Sequence, residues 1–459
     1  MSASDGDRQR HATLAKLSSG VLLTNGVAAL ALLGTAVLTA RALGPSGRGE
    51  FNLATSLVIL AAALCSLSIG PAAAYYTARA PASGPLAFGN VALVGLLLGL
   101  SVVGIGYVVI LGGDLHLRGL PKADLLLVLL ALPFLLAIAN VQSVYQGLRR
   151  FRAYNGITVA QAILPLPLIG SAIAVGAGVR GAIAATVAAA VLLFVAVVVV
   201  TRRASRIRWR LDLPYIRALA SYGVRLHPAN MLAYLGYRID VFLVDGYRGA
   251  AAVGLYGAGV VVAEGLWMPS QAVSTTLFPT IAAEQSESAR RAMTPLVTRN
   301  TLWLTAILGG ILFLVATPVV DVLYSSRFSA SSAVVRILVP GVVLFAAARV
   351  LGNDVAARGR PLVSSVIAAG ITFCNLALNV VLIPRYGIEG AAWASTGSYS
   401  LAFLASAAVY RTITGVPLHT LVVPSREDGR RYVRLVKRIA GRPAEDLSAV
   451  PADVTRRPD

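Results

Sequence analysis

Acidic residues are scarce in this chain, and so are cysteine and histidine. Of 459 residues only 20 are Asp or Glu, against 40 Lys or Arg, and charged residues of both signs together make up 13%. Soluble domains carry about a quarter, so a water-facing globule is excluded. Cys65 and Cys374 each lie inside an apolar run, which rules out a disulfide scaffold. His11, His116, His227 and His419 are scattered, and none stands beside a cysteine at metal-ligand spacing. No metal and no cofactor are expected. The formal charge of +20 does not point to nucleic acid, because the basic residues are dispersed between apolar runs rather than gathered on one soluble face.

Catalytic constellations are missing as well. Leu43-Gly44-Pro45-Ser46-Gly47-Arg48-Gly49 is glycine-rich, but no Lys-Ser/Thr follows its last glycine and it joins two apolar runs. It reads as a tight extracytoplasmic turn, not a nucleotide loop. Asp114, His116 and Asp124 share one outer loop without a nucleophile or room for a substrate. The chain is therefore not expected to be an enzyme.

What is abundant is apolar residues, 57% of the total, with a mean hydropathy of +0.74. Runs of about 20 residues or more predict an all-α polytopic membrane protein. The twelve spans fall near 19–40, 51–74, 87–111, 124–147, 155–178, 182–201, 218–244, 251–281, 299–324, 333–356, 362–384 and 390–411. The polar start, Met1 to Lys16, has no cleavage site, so the first run reads as a retained anchor. Both tails and the loops after even-numbered spans hold 28 of the 40 Lys and Arg. Both termini are thus expected in the cytoplasm of a cell in whose cytoplasmic membrane the protein resides.

The organisation follows: an N-tail over 1–18, an N-lobe over 19–201, a basic cytoplasmic linker over 202–217, a C-lobe over 218–411 and a cytoplasmic tail over 412–459. Within that tail, Tyr432, Leu435, Val436 and Ile439 share a helical face among Arg and Lys, as in a helix lying on anionic lipid or docked to a partner; the end from Arg442 reads as disordered. The two lobes look alike. Gly178-Val179-Arg180-Gly181-Ala182 recurs as Gly387-Ile388-Glu389-Gly390-Ala391, an offset of 209; Gly49-Glu50-Phe51 answers Gly254-Leu255-Tyr256 at 205, and Arg150 answers Arg360 at 210. Six spans per repeat keep the same orientation, so two six-helix lobes should be related by a pseudo-two-fold axis along the membrane normal. That arrangement suits alternating access to a site between them.

Charges inside the spans mark candidate site residues, because lipid does not hold them freely. Span seven carries Arg225, His227, Arg238 and Asp240. Tyr222, Arg225, Ala229, Leu232, Gly236 and Asp240 share one helical stripe, a candidate cavity wall, whereas Arg238 points away from it. Glu264 in span eight is the candidate coupling carboxylate, and its alternative is a structural pair with Arg225 or Arg349. In span ten Arg349 can reach Asn353, and Asp354 can reach Arg358. The first half offers Asn25 and, at the outer end of span one, Arg41; the interior of its spans is without Asp or Glu.

The stretch from Gly20 to Ala80, with Leu43-Gly44-Pro45 and Gly47-Arg48-Gly49-Glu50-Phe51, resembles the polysaccharide (O-antigen, Wzx-type) flippases of the multidrug/oligosaccharidyl-lipid/polysaccharide exporter superfamily. Gly254-Leu255-Tyr256 and the run Pro384 to Ala391 are similar to that family too, and the resemblance covers residues 17 to 411. It implies two lobes in a V that move a polyprenyl-diphosphate-linked oligosaccharide from the inner to the outer leaflet. A glycan polymerase, glycosyltransferases and membrane lipids are the partners such a pathway brings. In that setting the diphosphate and cavity residues would be Arg225, Arg349, Asn25, Arg41 and Tyr222, and Glu264, Asp240 and Asp354 would serve coupling or gating. The rival readings are a lipid II-type flippase and a small-molecule antiporter of the same superfamily. The charge-poor first lobe argues against both.

Overall fold

The computed structural model describes residues 3–113, 118–205, 207, 209–268, 287–358 and 360–424. The basic tail helix expected over Glu427 to Ala440 lies outside those residues, as do Asp114 and His116. Among the described residues, nine helical stretches are long and apolar enough to cross a membrane. Two of them, Leu23–Cys65 with 43 residues and Leu362–Thr414 with 53, are too long for one crossing. At 1.5 Å per residue either would exceed twice the roughly 30 Å of a hydrocarbon core.

Both fold back on themselves at a glycine. Gly44 (φ 68°, ψ −175°) breaks Ala3–Cys65, and Gly387 (φ 60°, ψ −133°) breaks Pro361–Thr414. A positive φ is accessible to glycine at no steric cost, and Pro45 then starts the second helix with its φ already set. Leu213–Arg248 supplies the remaining span; its six Asp and Arg residues set it apart from those nine. Twelve spans in two sixes result, as the apolar runs predict. Because lipid is the solvent, large apolar side chains such as Val108, Leu314 and Leu23 stand exposed on the helices, which water would oppose.

The internal repeat is visible in the backbone. Gly178 and Gly387, matched by the sequence offset, take φ of 61° and 60° and open equivalent helices. Arg41 and Arg248 end the first and seventh spans, and each donates to exposed backbone carbonyls across the bundle. Arg41 Nε donates to Leu323 O at 2.9 Å and its Nη2 to Val322 O, while Arg248 Nη2 donates to Pro384 O at 2.8 Å. Cations are favoured at helix C-termini by the exposed carbonyls there.

Where the two repeats touch, equivalent residues meet. A Cβ on Gly49 would lie 1.7 Å from Ala250 O, and one on Gly254 would lie 2.0 Å from Pro45 O. The starts of spans two and eight therefore press backbone against backbone at the end of the bundle that carries the Gly44 turn. Ala36, Ala40 and Leu53 of the first half join Val253, Tyr256, Val320 and Phe328 of the second in one buried cluster beneath that contact. This seal closes the Gly44 end.

At the opposite end, the linker is pinned to the first half. Asn90 Oδ1 accepts from Asp212 N at 2.7 Å, and Asp212 Oδ1 caps the seventh span by accepting from Tyr215 N at 2.9 Å. Leu219 is fully buried in a first-half cluster with Phe88 and Tyr145, whereas Val241 and Val244 sit in the second-half cluster. Span seven thus belongs to the N-lobe core at one end and the C-lobe core at the other. After the twelfth span the chain turns at Gly415 and docks His419–Val422 on span nine, with Arg299 Nη1 donating to Thr420 O at 2.7 Å and Leu421 fully buried.

Candidate functional site

Beneath the seal lies a cavity of about 600 Å³ between the halves. Its first-half wall comes from spans one, two, four, five and six: Leu33, Ala36, Thr55, Ala131 and Ile169 are typical, with Gln161 and Arg48 as the large polar groups. The second-half wall carries the charge. Arg238, Asp240 and Glu264 line it, together with Tyr256, Trp267, Ser395 and Tyr399.

Asp240 is tied down. Its Oδ2 accepts from Tyr256 OH at 2.6 Å and its Oδ1 from Val241 N at 2.8 Å, while Tyr256 OH lies 3.4 Å from Ser395 Oγ. Spans seven, eight and twelve are stitched together through this one carboxylate. Glu264 behaves differently, for it makes no hydrogen bond or ion pair with any described residue. It lies within Coulombic reach of Arg238, Asp240 and Arg349. The α-helix Ala250–Glu264 ends at this residue and tightens into a 3-10 turn over Gly265–Trp267. Such tightening inside a membrane helix often marks a functional hinge. A half-buried carboxylate and guanidinium sharing one polar hollow in lipid can exchange partners with an anionic ligand at little reorganisation.

The sequence stripe on span seven holds only in part. Gly236 and Asp240 line the cavity, but Tyr222 and Arg225 do not. Their part of the helix packs on the N-lobe, where Tyr222 stacks on Tyr75 (4.5 Å between centroids, 13° between planes) and meets Tyr76 edge-on. Arg225 is exposed on this segment. His227 Nε2 lies 2.9 Å from Leu64 O and Asn230 Nδ2 donates to Ser68 Oγ at 3.1 Å, so polar groups here serve lobe contact. Conversely Arg238, which the stripe excludes, reaches the cavity.

The other candidates also divide. Asn25 is exposed and outside the lining, and Arg41 is spent on the carbonyls of the ninth span. Arg349 stacks over the Trp267 ring at 5.7 Å, behind the cavity wall that Trp267 forms. It does not join Asn353. Asp354 is fully buried, accepts from Arg358 Nε at 2.6 Å as its i+4 spacing predicts, and accepts from Thr294 Oγ1 at 2.8 Å. That is a structural network at the linker end of the C-lobe, where Arg358 Nη1 also donates to Glu287 Oε1 at 2.6 Å.

Arg48 was legible only as part of a glycine turn. Its signal was present: it is the one cation within that turn, flanked by Gly47 and Gly49, which leave the backbone free to approach the other lobe.

Comparison with known proteins agrees with this architecture. Residues 115–333, just under half of the chain, match the family described as "Polysaccharide biosynthesis protein". A protein of Haloferax volcanii named "Probable low-salt glycan biosynthesis flippase Agl15" is 24% identical over 190 residues, which is 40% of this chain and 40% of that protein's length. Among solved structures, the lipid II flippase MurJ in an inward closed conformation superposes with a TM-score of 0.68 at 13% identity, over 92% of this chain and 93% of that one. The MATE multidrug transporter DinF-BH gives 0.65 at 20% identity, over 88% and 96%. At such identities the two structures speak for the fold. The family match and the glycan-flippase relative, each over part of the chain, agree with the resemblance seen in the sequence, and the chain shares its two-lobed fold with MurJ and the MATE transporters.

Proposed function

We propose that the chain is a flippase that moves a polyprenyl-diphosphate-linked oligosaccharide from the inner to the outer leaflet of the cytoplasmic membrane, supplying surface polysaccharide assembly. Both termini face the cytoplasm in this reading, so the Gly44 end faces outward and the seal of spans two and eight is the outer gate. The observation that carries the proposal is the cavity between the lobes, mostly apolar on the first-half wall apart from Arg48 and Gln161 and carrying Arg238, Asp240 and Glu264 on the other.

Arg238 holds the diphosphate. A guanidinium is permanently charged and presents a planar fork of donors that matches phosphate oxygens. Arg225 and Tyr222, at the linker end of the same helix, and Asn25 on span one lie on the approach from the cytoplasm. Arg41 braces the outer gate, and Arg349 orients the Trp267 wall. Glu264, which has no hydrogen-bond partner among the described residues, neutralises Arg238 between cargoes and serves as the coupling carboxylate, while Asp240 fixes the geometry around it. Asp354 acts by keeping the C-lobe rigid as the lobes rock. An inside-negative membrane potential favours outward movement of the anionic head by about 2.3 kcal/mol per charge per 100 mV. The likeness in fold to a lipid II flippase supports a lipid-linked cargo.

Deletion of the gene tests this directly. Surface polymer is expected to fall while lipid-linked repeat units accumulate on the inner leaflet. Unchanged polymer in the deletion strain would refute the proposal.

A further inference from the structure

Span two does not run unbroken. Its helix stops at Cys65 and restarts at Ile69, and between them Leu67 (φ 47°) and Ser68 (φ 51°) stand in the left-handed region. Neither is glycine, so each holds its Cβ against a neighbouring carbonyl, a strain that persists only where surrounding contacts impose it. In a continuous helix the Ser68 N–H would donate to Leu64 O. Here it turns to Ser66 Oγ at 3.3 Å, and the Leu64 carbonyl is taken instead by His227 Nε2 of span seven at 2.9 Å. A carbonyl only accepts, so Nε2 carries the proton. His227 Nδ1 is buried without a partner among the described residues, which leaves Leu64 O as the ring's one hydrogen bond there.

Span seven holds the break at two further points. Asn230 Nδ2 donates to Ser68 Oγ at 3.1 Å, and a Cβ on Gly223 would overlap Leu67 O, so only glycine lets the two backbones cross so closely. Pro228, which has no N–H and crowds the turn before it, weakens span seven at the same crossing. Two interrupted helices therefore meet at their interruptions. The core of the first half divides here as well. Phe51, Ala54 and Val58, on the arm that reaches the seal, pack in one buried cluster, and Ile69, Ala72 and Ala73, beyond the break, pack in another. The arm from Gly49 to Cys65 is about 24 Å long at 1.5 Å per residue, so a modest change of angle at the break lifts Gly49 off its contact.

We propose that the Cys65–Ile69 break is a hinge for that arm and that His227 and Asn230 are its latch, positioning residues that keep the arm pressed on span eight. In the latched form the imidazole gives Leu64 O the donor that the bend removes. Span seven joins the C-lobe core at its far end, so movement of that lobe draws the latch away. Ser68 N–H then regains Leu64 O, Leu67 and Ser68 leave the left-handed region, and the arm straightens off Gly254. One carbonyl with two alternative donors gives the hinge two discrete states. The latch requires one lobe to move against the other and holds whatever the cargo is.

Double electron–electron resonance on the full-length protein in lipid nanodiscs tests the latch. Nitroxides coupled to acetylphenylalanine at the exposed Ala177 and Tyr386, in the matching turns at the Gly44 end, leave Cys65 and Cys374 in place. Wild type is expected to populate mainly the short distance of the sealed end. His227→Leu is expected to raise the long-distance fraction at least threefold, while His227→Gln, which keeps an N–H donor, stays at the wild-type level. Adding Leu67→Gly, which takes a positive φ at no steric cost, is expected to return His227→Leu toward the short distance. Wild type mostly at the long distance, or a wild-type distribution in His227→Leu, overturns the latch. An equal rise in His227→Gln also overturns it, because packing and not the hydrogen bond would then hold the arm. Further opening on adding Leu67→Gly overturns the strained hinge. If His227→Leu does not survive purification, Asn230→Ala at its exposed position decides, and unchanged distances in that variant overturn the proposal. Unchanged polymer in the deletion strain with these distances as expected sinks the flippase reading alone; unchanged distances with polymer lost on deletion sink the latch alone.

Discussion

From the first half of the chain the cavity receives leucine, alanine, threonine and a single guanidinium; from the second it receives Arg238, Asp240, Glu264 and a wall of aromatic rings. The halves share turns and the glycines at which they meet, so the difference at the cavity is one of side chains on a related scaffold. Both lobes form the closed end equally, Gly49 against Ala250 and Gly254 against Pro45. Only the C-lobe brings acids to the hollow. Symmetry thus supplies the motion, and its local loss supplies the chemistry.

The largest effect should come from breaking what the halves share. Gly49→Leu or Gly254→Leu puts a side chain where Ala250 O lies 1.7 Å and Pro45 O 2.0 Å from the Cβ position, so the seal cannot close. Export is expected to fall to background, with a cysteine at Asn52 becoming reactive to a membrane-impermeant thiol reagent applied from outside. Unaltered export would mean that the contact is not a gate. Breaking what the halves do not share comes next. Arg238→Ala is expected to cut export more than tenfold and Arg238→Lys somewhat less, because charge survives but the bidentate fork is lost. Glu264→Gln should flatten the pH dependence of transport in proteoliposomes, and an unchanged pH profile would remove Glu264 from coupling.

Stability sharpens the same comparison. In the C-lobe, Asp354 is fully buried between Arg358 and Thr294, so Asp354→Ala takes away the buried counter-ion of Arg358, leaves it only the exposed Glu287, and should cost about 3 kcal/mol, the low end for a broken buried pair. In the N-lobe, Asp124 pairs at 2.6 Å with Arg180, whose side chain is 63% exposed, so Arg180→Ala should cost well under half of that. Thermal unfolding in detergent compares the two, and equal losses would contradict the difference in burial.

The smallest effect is a pH dependence outside the membrane. The hydrogen bond from Arg358, helped by Arg291, holds the Glu287 carboxyl below its ordinary range. A lowered folded-state value means that the group's contribution is complete above the ordinary carboxylate pKa and is lost as pH falls through the lowered one. Because Glu287 is exposed, the change is small. Wild type should lose slightly more thermal stability than Glu287→Gln between pH 6 and pH 3, buffer values chosen to bracket the usual carboxylate range of about 4.

Span number and pairing were legible because lipid demands long apolar helices with satisfied backbones, and that leaves a readable pattern. The repeat was legible through its glycines, which the backbone conformation of Gly178 and Gly387 and the contacts of Gly49 and Gly254 require. Asp240 and Glu264, conspicuous because acids are rare in such a chain, line the cavity, whereas helical periodicity put Arg225 on the stripe and Arg238 off it and the lining holds Arg238 and not Arg225. Span seven packs one end on the N-lobe and the other on the C-lobe, so no single stripe faces one surface along its length. Arg48 escaped because it sits in a glycine turn that reads as loop, while the cavity it lines is built from both halves of the chain.

In the proposed flippase, cargo passes through the hollow between the lobes. A photoreactive benzoylphenylalanine at Val261, on the cavity wall, and another at Leu314, 78% exposed to lipid, compare the two routes in cells that make lipid-linked oligosaccharide. Ultraviolet cross-linking should attach the sugar diphosphate at Val261 and not at Leu314. Adducts at Leu314 alone, or none at Val261 while export continues, would contradict it.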